Sequence, residues 1–207
     1  MNILDKFHHW RRKMRWDKQY KSGRWDSLQS EKEAKRYQQI VDYISKYAIS
    51  NPSILDIGCG DGVLNLRMEG IEFDYFLGLD FSKVSIEMAN KKNLPKSEFI
   101  AADAITYKPK RNFDVIVFNE AFYYIHDTEK DNVLNRMLSH LNKDGIMITS
   151  IYREGIGCWE YFKDNPKLKE LGFTTVTTDE DLRYWKVGVY SEMGSKIIKT
   201  ENETADS

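Results

Sequence analysis

Cysteine, proline and long apolar runs are all scarce in this sequence, and neither sign of charge dominates it. Two cysteines, Cys59 and Cys158, are too few for a disulfide framework. The chain opens Met-Asn-Ile-Leu-Asp and soon turns basic and aromatic, without the apolar stretch of a secretory leader. Free thiols and a cytoplasmic location are therefore expected. No Cys/His cluster has the spacing of a zinc site, so no metal is expected. No apolar run approaches the ~20 residues a membrane span needs, and no membrane partner is expected. The 31 basic and 32 acidic residues leave a net charge of -1, which removes any global electrostatic case for nucleic acid. No repeat and no Gly/Ser- or Pro-rich linker divides the 207 residues, so a single domain is expected.

What is present is a globular composition, 41% hydrophobic and 30% charged. Ser30-Glu31-Lys32-Glu33 has the form of a capping box. Tyr37, Ile40, Val41, Ile44 and Ala48 then recur at helical spacing until Ser50-Asn51-Pro52. Short apolar runs at 53–57, 75–79, 99–102, 113–118 and 146–151 read as strands. Helical patterns over 63–69, 83–92 and 128–141 separate most of them, with Lys143-Asp144-Gly145 as a stop. Strands alternating with helices predict a parallel sheet with right-handed crossovers. The segments 173–178 and 184–190 are β-rich around a charged turn and predict a closing antiparallel hairpin.

In an open parallel sheet, ligands bind beyond the carboxyl ends of the strands. Gly58-Cys59-Gly60-Asp61-Gly62 follows the first strand there. Glycines in such a loop let a ligand approach the backbone. The dinucleotide fingerprint needs a third glycine where Val63 stands, and the Gly-Lys-Ser/Thr of a phosphate loop is absent. Asp80 ends the second strand, where a carboxylate can accept both hydroxyls of a ribose. Asp103, followed by Ala104, ends the third, within reach of an adenine amino group. Asn119-Glu120 ends the fourth, beside the expected reactive centre.

Ile54–Gly62, Asp80, Asp103-Ala104, Phe113–Glu120 and Leu141–Ile146 occur in the order of the motifs of class I S-adenosylmethionine-dependent methyltransferases, and the chain resembles that family over roughly residues 37–151. The resemblance implies an α/β, three-layer Rossmann-like fold. Its mostly parallel seven-stranded sheet would be closed by the C-terminal antiparallel hairpin. It also implies the cofactor S-adenosylmethionine, leaving as S-adenosylhomocysteine. Gly58 and Gly60 would lie under its methionine part, with Cys59 packed between them and Asp56 supporting the loop. Asp80 would hold the ribose, Phe81 stack on adenine, Asp103 and Ala104 flank it, and Asn119 take the ammonium through its carbonyl. Asp80 alone suits NAD equally, so an NAD(P)-binding oxidoreductase is the competing class, disfavoured by Val63.

The acceptor side is read from two segments. Glu120-Ala121-Phe122-Tyr123-Tyr124-Ile125-His126 offers Glu120 or His126 as a base and Tyr123 and Tyr124 as orienting groups. The stretch from His8 to Arg24 carries seven basic residues against one acid, Asp17, with Trp10, Trp16 and Tyr20 interleaved. It is either a solvated arm or a lid closing on an anionic acceptor through Trp16, Tyr20, Arg24, Trp25 and Arg36. The pattern resembles small methyltransferases of sugar-nucleotide, surface-glycan and natural-product pathways. The Asn/Asp-Pro-Pro-Tyr motif of nucleic-acid amino methylation is absent, which sets nucleic-acid methylation behind a small-molecule acceptor; a protein acceptor stays an alternative. The expected organisation is a lid over 1–30, a cofactor core over 31–151, the hairpin region over 152–200 and a frayed polar tail over 201–207.

Overall fold

The computed structural model describes residues 3–178 and 183–197. The tail 201–207 and most of the expected hairpin turn lie outside the described residues. The elements run α1 (Ile3–Lys21), α2 (Glu31–Tyr47), β1 (Ser53–Ile57), α3 (Val63–Arg67), β2 (Tyr75–Asp80), α4 (Lys83–Lys91), β3 (Ser97–Ala101) and β4 (Phe113–Asn119). After these come α5 (Asp127–Leu138), β5 (Leu141–Tyr152), α6 (Glu160–Lys163), β6 (Leu168–Thr177) and β7 (Tyr184–Glu192). Short 3-10 turns occupy Asp26–Gln29 and Phe122–Tyr124.

Seven strands form one sheet in the order β3-β2-β1-β4-β5-β7-β6. The first five are parallel, and β7 inserts antiparallel between β5 and β6. The order reverses between β1 and β4, which opens a crevice at their carboxyl ends. Helices cover both faces because side chains alternate along the central strands. Ile54, Val115, Val117, Ile146 and Ile148 pack with Ile40 and Ile44 of α2 and Ile86 of α4. Leu55, Ile57, Ile116, Phe118 and Met147 pack with Leu134 and Met137 of α5. The result is the three-layer α/β architecture with a C-terminal antiparallel hairpin.

Several local expectations are corrected. Ser30 is the N-cap of α2, yet its side chain makes no capping bond. Glu33 turns away from the cap and meets Arg36 at 3.1 Å instead. The helix expected over 128–141 ends at Leu138, and Leu141 already pairs with Phe113 in β5. Lys143-Asp144-Gly145 is therefore a bulge within β5 rather than a helix stop, with Asp144 at φ +60°. Asp114 pins this bulge by accepting from the Asn142 side chain at 2.7 Å. The hairpin's first strand starts at Leu168, before the expected 173, through the weak strand formers Lys169, Glu170 and Gly172. Ser82 does cap α4, accepting from the Ser85 backbone.

Candidate active site

A cavity of about 430 Å³ lies at the carboxyl edge of the sheet, and α1 and the turn after it form one wall. Three strand ends supply its floor. After β1 the chain turns through Gly58, Gly60 and Gly62, all at positive φ. At Gly58, φ is +81° and a Cβ would stand 2.5 Å from the Ala121 methyl, so only glycine fits there. Asp61, in the same loop, accepts from Lys92 at 2.7 Å and Gln29 at 2.8 Å and ties the loop to α4 and to the turn before α2.

Asp80 at the end of β2 accepts from the Gly60 N–H at 3.1 Å and the Ser82 N–H at 2.8 Å. Burial pushes its carboxyl up to about 6 despite these bonds. Asp103, after β3, lines the cavity and accepts from the Ile105 N–H at 2.9 Å, so one of its oxygens holds a turn. Asp56 in β1 lies beneath the loop, outside the cavity lining. It is 0% exposed, and neither carboxylate oxygen has a hydrogen-bond partner. Burial, then the charge of Asp80, push it up to about 8.

Glu120 follows β4 with φ +56°, a conformation that L residues adopt at a cost of about 1–3 kcal/mol and that clusters at functional sites. Its carboxylate accepts from Ser150 at 2.9 Å and Tyr123 at 3.0 Å. Burial pushes it up to about 7, against the opposing pull of Arg36 and these two donors. Arg36, 1% exposed, donates to Glu33 and to the Asn119 side chain, and packs over Tyr37 at 4.2 Å and Trp185 at 5.5 Å. Burial would lower its pKa, but Tyr37, Glu120 and Glu33 together raise it, so the guanidinium stays charged.

An aromatic wall closes the other side. Trp16 stacks on Trp25 at 4.6 Å and meets the edges of Tyr124 at 5.1 Å and Phe81 at 6.2 Å. The indole N–H groups of Trp16 and Trp25 are buried without a partner. Tyr20 is buried against the glycine loop, and Asp17 accepts from Ser82 at 2.6 Å. Arg12, one turn before Trp16, donates to the Tyr124 carbonyl.

Gly58, Cys59, Gly60, Asp80, Phe81, Asp103, Ala104, Asn119, Glu120, Tyr123 and Tyr124 all line the cavity, as do Trp16, Tyr20, Trp25 and Arg36. Three expected residues do not: Asp56, which lies beneath the loop, His126 and Arg24. His126 is the N-cap of α5, where its ring nitrogen accepts from the Thr128 N–H and meets the Thr128 hydroxyl at 2.9 Å. Arg24 is exposed in the turn beyond Gly23, with its guanidinium over Trp25 at 5.8 Å. Arg12 takes the inward place instead, because it shares a helix face with Trp16 and Tyr20 at spacings of four. That periodicity was a signal for Arg12. Glu33, Tyr152, Arg183 and Trp185 also line the cavity and carry no comparable signal. Tyr152 and Trp185 face each other only because β7 pairs with β5.

The methyltransferase domain family matches residues 29–190. The chain belongs to this family of class I S-adenosylmethionine-dependent methyltransferases. Over 145 residues it is 30% identical to a ubiquinone biosynthesis O-methyltransferase of Pelagibacter ubique, covering 69% of this chain and 54% of that one. A malonyl-[acyl-carrier protein] O-methyltransferase of Ilyobacter polytropus is 29% identical over 64% of this chain and 46% of its own length. The chain thus spans about half the length of these curated relatives. The N-methyltransferase NodS of Bradyrhizobium japonicum, solved with S-adenosylhomocysteine, shares the fold at a TM-score of 0.68. It is 18% identical and covers 82% of this chain and 91% of NodS.

The residues present fit that cofactor. The glycine loop leaves no room for side chains, carboxylates stand at the end of β2 and just after β3, and two buried indole donors on the cavity wall lack partners.

Proposed function

We propose that this chain transfers a methyl group from S-adenosylmethionine to an oxygen or nitrogen of a small acceptor, with Glu120 as the base. Bound in the cavity, the cofactor supplies an electrophilic methyl on a sulfonium. Gly58 and Gly60 lie under its methionine part, and Asn119 offers its carbonyl to the ammonium. Asp80 accepts from the ribose, while Asp103 and Phe81 meet the adenine. Trp16 and Tyr20 cover it and exclude water.

The observation that carries the acceptor side is the strained, half-buried Glu120, held by Ser150 and Tyr123 in the same cavity as these strand ends. A carboxylate pushed up to about 7 is matched to taking a proton at neutral pH. It would take the acceptor's O–H or N–H proton as the acceptor atom bonds to the methyl carbon and the methyl–sulfur bond breaks, with S-adenosylhomocysteine as the leaving group. Tyr123 and Tyr124 orient the acceptor. The sulfonium gains from the faces of Tyr124 and Trp16.

The acceptor carries an anionic group, such as a phosphate or the diphosphate of a sugar nucleotide, and belongs to surface-glycan or natural-product biosynthesis. Arg12 and Arg183 line the cavity and are the cations suited to that group, in place of Arg24. The test is a screen of small acceptors with isotope-labelled cofactor, run in parallel on the wild type and Glu120→Gln. Transfer to an anionic acceptor that collapses in the variant supports the assignment. Transfer to neutral acceptors alone, or an unaffected variant, overturns it.

A further inference from the structure

The outward half of α1 takes no part in the site. Along the helix Arg12, Trp16 and Tyr20 share the inward face. Among the described side chains of the opposite arc, the exposed ones are His8, Trp10, Arg11, Met14, Arg15, Lys18 and Lys21, with no acid among them. Asp17, the one acid between His8 and Arg24, is turned inward to Ser82. Trp10 is 56% exposed and Met14 51% exposed, and at i and i+4 they lie side by side. The face is therefore a cationic strip edged by two large apolar side chains, on a chain whose net charge is -1.

We infer that this face of α1 docks on an anionic phospholipid surface. Trp10 and Met14 enter the headgroup boundary, and Arg11, Arg15, Lys18 and Lys21 meet lipid phosphates. The charge is complementary, and a tryptophan flanked by Lys and Arg is the composition of a helix that lies in a membrane interface. Scarcity of long apolar runs excludes spanning, which this mode does not need. Among the described residues no helix is long and apolar enough to cross a membrane. Because the opposite face of the same helix walls the cavity, docking holds the active site at the lipid surface, where amphipathic acceptors partition.

An acidic protein segment is the competing occupant of a cationic strip, and it would not need Trp10 or Met14. The test is flotation of the full chain with phosphatidylcholine vesicles, with and without phosphatidylglycerol, at low and high salt. Expected are binding to the anionic vesicles alone, and loss of binding at high salt. Partitioning should fall by at least about tenfold both in Arg11→Glu/Arg15→Glu/Lys18→Glu and in Trp10→Glu/Met14→Glu. None of these residues lines the cavity, so S-adenosylhomocysteine affinity is expected to be unchanged and reports folding. Absent binding, equal binding to neutral vesicles, or an unaffected charge-reversal variant overturns the inference. Wild-type binding by Trp10→Glu/Met14→Glu, with displacement by polyglutamate, assigns the face to an acidic peptide and also overturns it.

Discussion

The Tyr20 hydroxyl lies over Gly60, 2.6 Å from where a Cβ on that glycine would stand. One contact thereby joins α1 to the loop after β1, and with it the wall of the cavity to its floor. Gly60→Ala therefore does two things. It strains a backbone at φ +56° and displaces Tyr20. The expected outcome is faster tryptic cleavage within α1, at Arg11 to Lys21, together with at least about tenfold weaker S-adenosylhomocysteine binding by calorimetry.

Asp80 is expected to dominate cofactor affinity. Its carboxylate would make charge-assisted bonds to the ribose, each worth roughly 1.5–3 kcal/mol. Asp80→Ala should weaken S-adenosylhomocysteine by about tenfold or more in the same calorimetric assay. Unchanged affinity would remove the ribose assignment.

As the proposed base, Glu120 is expected to set the rate. With its carboxyl near 7, the fraction in the basic form rises through that pH, so the turnover rate should climb from acid to neutral and then level. Glu120→Gln should lower kcat by about a hundredfold, abolish that acid limb and leave S-adenosylhomocysteine affinity unchanged.

Asp56 makes folding stability depend on pH in an unusual direction. Its pKa is raised on folding, to about 8, so between its unfolded and folded values the native state holds the extra proton. Stability is then greatest on the acid side and is lost as pH rises toward 8. Asp80, raised to about 6, acts with the same sign at lower pH. Asp56→Asn should flatten the profile. Between pH 5.5 and 8.5 the wild type should lose about 2 kcal/mol more than the variant, roughly 4–8 °C in Tm, measured by thermal melts.

Much of the cavity floor was legible because it is local. Ile54–Gly62, Asp80, Asp103 and Asn119-Glu120 are strand ends, and strand ends follow from apolar runs bounded by glycine and polar residues. The five parallel strands were legible for the same reason. The acceptor side was less so. His126 and Glu120 are both titratable residues after β4, and only the backbone decides between them. Glu120 turns into the cavity at φ +56°, while His126 sits in extended geometry as a helix cap. Arg24 and Arg12 are equally basic, and the three-dimensional path of α1 and the Gly23 turn brings in Arg12. Trp185 and Arg183 enter through β7, whose insertion between β5 and β6 is a long-range pairing that no local pattern carries. The bulge at 142–145 was hidden because a Lys-Asp-Gly tripeptide ends helices and interrupts strands equally well.

Cys59 sits between the two glycines at the floor, and burial, then the neighbouring carboxylates of Asp80, Asp56 and Asp61, push its thiol well up. Cys158 is buried as well, with its thiol also raised. Both native sulfurs are thus kept in the unreactive protonated form. A cysteine introduced on the outer arc of α1 is therefore expected to take a maleimide dye or a spin label ahead of the two buried native thiols. Movement of that helix can in this way be followed spectroscopically without altering either native cysteine.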